Sequence, residues 1–209
     1  DDHSEIDGWI REGLAGAKDW VLIGGPPCQA YSLAGRARMR GSNPKEFEAD
    51  KRHFLYREYL RIIKEFSPSV FVMENVKGML TSQHSGSPIF DRILSDLRSP
   101  GNGHEYLIRS FVVPGEIQNP GDFVIKSEEL GIPQSRHRVI LFGIRADVAE
   151  SIPDLIQHPE KFTLAKAPRV TAREALDGLP ALRSKLSNRF DGMPDSIANW
   201  QKALVNGLK

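Results

Sequence analysis

Apolar residues fall in short runs and helix-spaced stretches through the first two-thirds of the chain. Residues 19–23, Asp-Trp-Val-Leu-Ile, are stopped by Gly24, Gly25, Pro26 and Pro27, the pattern of a buried parallel strand ending in a turn. Residues 35–50 lack a period and read as a long loop. Over 54–66, Leu55, Tyr59, Ile62, Ile63 and Phe66 recur at spacings of three and four, which predicts one buried helix face ended by Ser67-Pro68. Residues 70–73 predict the next buried strand, running straight into Glu74 and Asn75. Ser87-Pro88 predicts the N-cap and first-turn proline of a helix that turns Ile89, Phe90, Ile93, Leu94 and Leu97 inward. Residues 106–113 and 139–144, rich in branched and aromatic side chains, predict two further strands, and the lack of a crossover helix between them predicts antiparallel pairing. The alternation predicts an α/β doubly wound sheet with a mixed edge. Beyond Arg145 the pattern weakens to a capping box at 171–174 and a tail without a clear period.

Composition narrows the function classes. A length of 209 residues with 40% hydrophobic content suits one globular domain. No run approaches the roughly 18 apolar residues of a membrane span, and nothing N-terminal resembles a secretion signal, so neither is expected. The single cysteine excludes an internal disulfide or a Cys-rich metal site and leaves a thiol that is either packed or reactive. Lys and Arg total 28 against 27 Asp and Glu, a net charge of +1, so the chain as a whole lacks a basic footprint. The segment 33–52 is the exception, because its first half carries Arg36, Arg38 and Arg40 with no acid among them. A solvated surface is the default reading of such a run.

Three constellations carry candidate chemistry. Gly24 to Gln29 places Cys28 at the C-terminal end of a predicted central strand, where ligands of open α/β sheets bind. Packed lone cysteines are the commoner case, yet a Gly/Pro turn at a strand end favours a nucleophile. Residues 73–76, Met-Glu-Asn-Val, end a second apolar strand with a carboxyl that partial desolvation would fit for proton donation. A capping or surface glutamate is the alternative. Residues 134–138, Gln-Ser-Arg-His-Arg, put Arg136 and Arg138 on one side if extended, as two cations facing a site or as plain surface charge.

In this order the three constellations resemble the fourth, sixth and eighth signature motifs of the DNA cytosine-5 methyltransferases. The stretch 68–76 is similar to that family's run from the fifth into the sixth motif, and 130–134, Leu-Gly-Ile-Pro-Gln, to its approach to the eighth. The resemblance covers roughly residues 19–145 and is specific as a set. It implies a Rossmann-like S-adenosylmethionine-dependent methyltransferase fold, with a mixed sheet and late antiparallel strands. It also implies methyl transfer to carbon 5 of a flipped-out cytosine in double-stranded DNA. Cys28 would add to carbon 6 as a thiolate. Glu74 would protonate ring nitrogen 3, while Arg136 and Arg138 would hold the base's carbonyl oxygen and the adjacent backbone. By resemblance Pro27 and Leu55 belong to the S-adenosylmethionine shell. Gln29, Ser32, Arg36 and Arg38 belong to a mobile loop that closes on DNA, so the basic run gains a function.

The family's Gly-rich first motif has no counterpart among the 27 residues before Cys28, and no ninth or convincing tenth motif follows Arg145. The expected organisation is therefore a truncated catalytic core over 1–145, followed by 146–209 leading into an incomplete target-recognition domain. No metal is expected, and a monomer is, located in the cytoplasm if bacterial or the nucleus if eukaryotic. Two alternatives remain open at this stage: a transfer-RNA methyltransferase of the same family, and a non-catalytic DNA-binding or regulatory member.

Overall fold

The computed structural model describes residues 3–26, 56–84, 87–101, 103–178, 196, 198–199 and 201–202. It divides into two compact units, Asp1–Val170 and Thr171–Lys209. The first unit contains a mixed five-stranded sheet. Strand β1 (Val21–Gly24) pairs parallel with β2 (Val70–Val76), and β2 pairs antiparallel with β7 (His137–Arg145). The far edge of β7 is shared by β5 (Tyr106–Arg109) and β6 (Val124–Lys126), both antiparallel to it. The mixed sheet with late antiparallel strands is as the sequence pattern predicts.

One face of the sheet is closed by two helices, α2 (Tyr56–Phe66) and α3 (Ile89–Arg98). Their apolar stripes bury Tyr59, Ile63, Phe90, Ile93 and Leu97 against Phe71, Met73, Val139 and Leu141. Gly24 gives Tyr59 room, since a Cβ there would lie 2.8 Å from Tyr59 Cε2. The Tyr59 hydroxyl donates to the carbonyls of Leu22 and Val72, at 3.3 and 3.0 Å, which ties α2 to both parallel strands. Burial pushes that phenol well above its ordinary range. On the same face Gly143 is obligatory, because a Cβ would overlap the ring of the fully buried Phe71. Gly143→Ala is expected to destabilise by about 2–3 kcal/mol through overpacking. The check is the denaturation midpoint, and an unchanged midpoint would show that Phe71 can step aside.

Among the described residues the opposite face is covered beside β5 and β7, where α4 (Ala146–Glu150) and α5 (Asp154–Gln157) bury Ile144, Ala149 and Leu155 with Val70, Leu107 and Phe142 packed around them. The compact unit thus runs past Arg145 to Val170. At the β1 edge of this face Val21 and Ile23 are 54% and 75% exposed.

The structure departs from the sequence pattern in three places. The strand expected over 106–113 stops at Arg109, because the Ser110 side chain accepts the N–H groups of Val112 and Val113 and donates to the Asp122 carbonyl. A side chain that satisfies the next two amides removes them from the ladder. The chain then leaves the sheet and returns as β6, which the pattern did not reveal. Strand β3 (Gln83–His84) pairs antiparallel with β4 (Ser87–Pro88), so α3 begins at Ile89. An additional helix, α1 (His3–Leu14), sets Ile6, Ile10 and Leu14 on one half-buried stripe and is tied to α2 by Arg61 to Asp7 at 2.8 Å and Arg11 to Glu65 at 3.2 Å. In the second unit, α6 (Ala172–Leu176) opens on the predicted capping box, with Thr171 and Glu174 exchanging bonds. Among the described residues no helix is long and apolar enough to cross a membrane, and no group of three or more His, Cys, Asp or Glu is arranged to hold a metal.

Candidate active site

Register brings the predicted constellations to one end of the sheet. Gly24 lies opposite Met73 in the parallel pair, so Gly25 and Glu74 follow side by side. Val76 lies opposite Arg138 in the antiparallel pair, two residues from Glu74 and on the same face.

The turn after β1 is fastened to β2 by Asn75, which is 2% exposed. Its Nδ2 donates to the Pro26 carbonyl at 3.3 Å and its Oδ1 accepts the Val76 N–H at 2.9 Å. A buried amide satisfied on both sides fixes the backbone that leads into Pro27 and Cys28. Gly25 lies against Glu74, and a Cβ on it would stand 3.1 Å from Oε2 and 3.4 Å from the carbonyl oxygen, so a side chain there would crowd the carboxyl.

Arg138 reaches Glu74 from β7, with its Nε 2.6 Å from Oε1. That Nε is buried yet has no aligned acceptor, so the approach is a charge contact and not a well-directed hydrogen bond. The guanidinium is oriented instead by Nη1, which donates to the His137 carbonyl at 2.8 Å. The Glu74 and Arg138 side chains are 45% and 24% exposed, so both are partly buried at this end of the sheet. A pair this open contributes about 0–1 kcal/mol, and its importance is the geometry it sets. Arg136 precedes the strand and is exposed, its carbonyl held by the Ser127 N–H at 3.1 Å and the Ser127 hydroxyl at 2.7 Å. Cys28, Gln29, Ser32, Arg36 and Arg38 lie outside the described residues, as do Pro27 and Leu55.

Residues 5–202 match the family described as C-5 cytosine-specific DNA methylase. The chain belongs to that family. It is 36% identical over 165 residues to the type II methyltransferase M.Bpa9945I of Bacillus paralicheniformis, an overlap covering 79% of this chain and 33% of that protein. It is 31% identical to the type II methyltransferase M.SacI of Streptomyces achromogenes, covering 80% and 39%. With the type II methyltransferase M.AquIA of Picosynechococcus the identity is 33%, covering 77% and 60%. The chain thus spans between one third and three fifths of the length of these relatives. In fold it is similar to a crystal structure described as a DNA modification methyltransferase encoded within an E. coli prophage, at a TM-score of 0.54 and 23% identity over 85% of this chain and 40% of that one.

One residue of this arrangement, Asn75, had no role of its own in the sequence reading. A signal for Asn75 was present: Phe71, Met73 and Asn75 share the inward period of β2, and a polar side chain in that register requires a partner. Gly25 stood in a Gly/Pro turn whose glycines admit a close approach, and the group that approaches is the Glu74 carboxyl on β2. The described part of the turn is compatible with a sulfonium cofactor at the strand ends, since the missing Cβ of Gly25 keeps the space next to the Glu74 carboxyl clear and the apolar Ile23 stands exposed two residues before it.

Proposed function

We propose that this chain carries the catalytic residues of a DNA cytosine-5 methyltransferase, acting on a cytosine flipped out of double-stranded DNA. The observation that supports this reading is the Glu74–Arg138 contact, 2.6 Å apart, beside a turn that Asn75 fastens at Pro26. A carboxyl and a guanidinium at one strand end, beside a turn that in the sequence runs on to Cys28, are the groups this chemistry calls for.

On this reading Cys28 adds as a thiolate to carbon 6, forming a carbon–sulfur bond and pushing the double-bond electrons into the ring. The charge that develops at ring nitrogen 3 is met by a proton from Glu74, placed where the charge appears. Arg138, oriented by the His137 carbonyl, holds the ring's carbonyl oxygen, and Arg136 holds the adjacent backbone. The methyl donor is S-adenosylmethionine, which supplies an electrophilic methyl group. Pro27 and Leu55 would line its pocket. Once carbon 5 carries the methyl group its proton passes to solvent, the electrons left behind re-form the 5,6 double bond and expel the Cys28 thiolate, and nitrogen 3 returns its proton to Glu74. Because the ring must be attacked from above its plane, the base has to leave the stack, and Gln29, Ser32, Arg36 and Arg38 would close over it and contact phosphates.

The matched relatives are named type II methyltransferases, which favours DNA over transfer RNA and a restriction-modification setting. The test is methyl transfer by the full-length enzyme from labelled S-adenosylmethionine to duplex DNA and to transfer RNA in parallel. Label at cytosine carbon 5 in DNA is expected. Label in transfer RNA alone would move the chain to the RNA-modifying reading, and label in neither would favour a non-catalytic member.

A further inference from the structure

The connection entering β7 is held more tightly than its length requires. Besides the two bonds from Ser127 to the Arg136 carbonyl, the Ser127 carbonyl accepts the N–H groups of Leu130 and Ile132 at 3.0 and 3.2 Å. Gly131 turns the chain at a φ of +76°. From this closed loop Glu128 reaches the first residue of β7, its Oε1 lying 2.8 Å from His137 Nε2. The bond from His137, helped by the backbone of Glu128 and the charge of Arg169, holds the Glu128 carboxyl below its usual range, so the acid acts as acceptor and the imidazole as donor. Glu128 is only 15% exposed, and its Oε2 is buried without a hydrogen-bond partner among the described residues. Such an atom lowers stability, which argues that the acid is kept for more than stability.

Adjacent strand residues point to opposite faces, so Glu128 pins His137 from the side away from Glu74. The His137 carbonyl in turn orients the Arg138 guanidinium, and Arg138 meets Glu74. We infer that Glu128 and His137 form a positioning pair, anchoring the first residue of β7 so that Arg138 is held against Glu74. The inference rests on the roles proposed above for those two residues.

In the full-length enzyme, Glu128→Ala and His137→Leu are expected to lower kcat by about ten- to a hundredfold, the scale of a misplaced catalytic group. The KM for DNA should stay within about twofold, and melting temperatures should be matched before comparison. His137→Gln, whose amide can still donate to Glu128, should recover most of the rate. In an Arg138→Ala background, adding Glu128→Ala should cost nothing further, because the pair acts through that arginine. Full additive losses in that background, or an unchanged kcat in His137→Leu, would overturn the inference. If Glu128→Ala does not fold, the comparison of His137→Leu with His137→Gln decides. Failure of the underlying reading is a separate result, namely an Arg138→Ala enzyme that turns over at the normal rate.

Discussion

Cys28→Ala is expected to abolish both turnover and the covalent complex with DNA while leaving DNA binding in place. Cytosine is a poor nucleophile at carbon 5, and only addition at carbon 6 makes it enamine-like. An alanine offers nothing that can add. A free thiol with a pKa of about 8.5 is only a few per cent thiolate at neutral pH, yet intrinsically reactive enough for the task. The Asn75–Pro26 bond that fastens the turn is untouched by this substitution, so the loss should be chemical and not structural. Deleting a covalent nucleophile costs on the order of 10⁴–10⁶ in kcat. The measurement is trapping on duplex DNA that carries 5-fluorocytosine, whose carbon 5 substituent cannot depart. An adduct surviving denaturation in the wild type and missing in Cys28→Ala is the expected outcome. An adduct that persists in the variant would assign the nucleophile elsewhere.

Glu74→Gln is expected to lower single-turnover methylation by about 10²–10⁴-fold with little change in DNA affinity. The amide preserves size, still presents an oxygen towards Arg138 and still fits beside Gly25, but it has no proton to transfer. Because the Glu74–Arg138 pair is half open to solvent, losing its charge should change folding stability little, and matched melting temperatures would make the comparison clean. A Glu74→Gln enzyme with near-normal single-turnover methylation would return Glu74 to a supporting role at the end of β2.

By itself the sequence determined those elements whose reasons are local. The inward stripe of α2 at Tyr59 and Ile63, the buried alternation of Phe71 and Met73 in β2 and the Thr171 capping box follow from periods and caps that neighbouring residues carry together. The order of the three motifs is likewise carried by neighbouring residues, and with it the proposal of Cys28, Glu74, Arg136 and Arg138 as the reactive groups. The tertiary structure decided what depends on partners distant in the chain. It took residues 111–123 out of the sheet and brought the chain back as β6, through side-chain bonds that compete with the ladder. It placed Arg138 against Glu74, although 63 positions separate the two numbers, because β2 and β7 pair in one particular register. It also gave Gly25, Asn75, Glu128 and His137 their meaning, since a missing Cβ, a buried amide or an ion pair acquires a role only when the atoms it meets are in place.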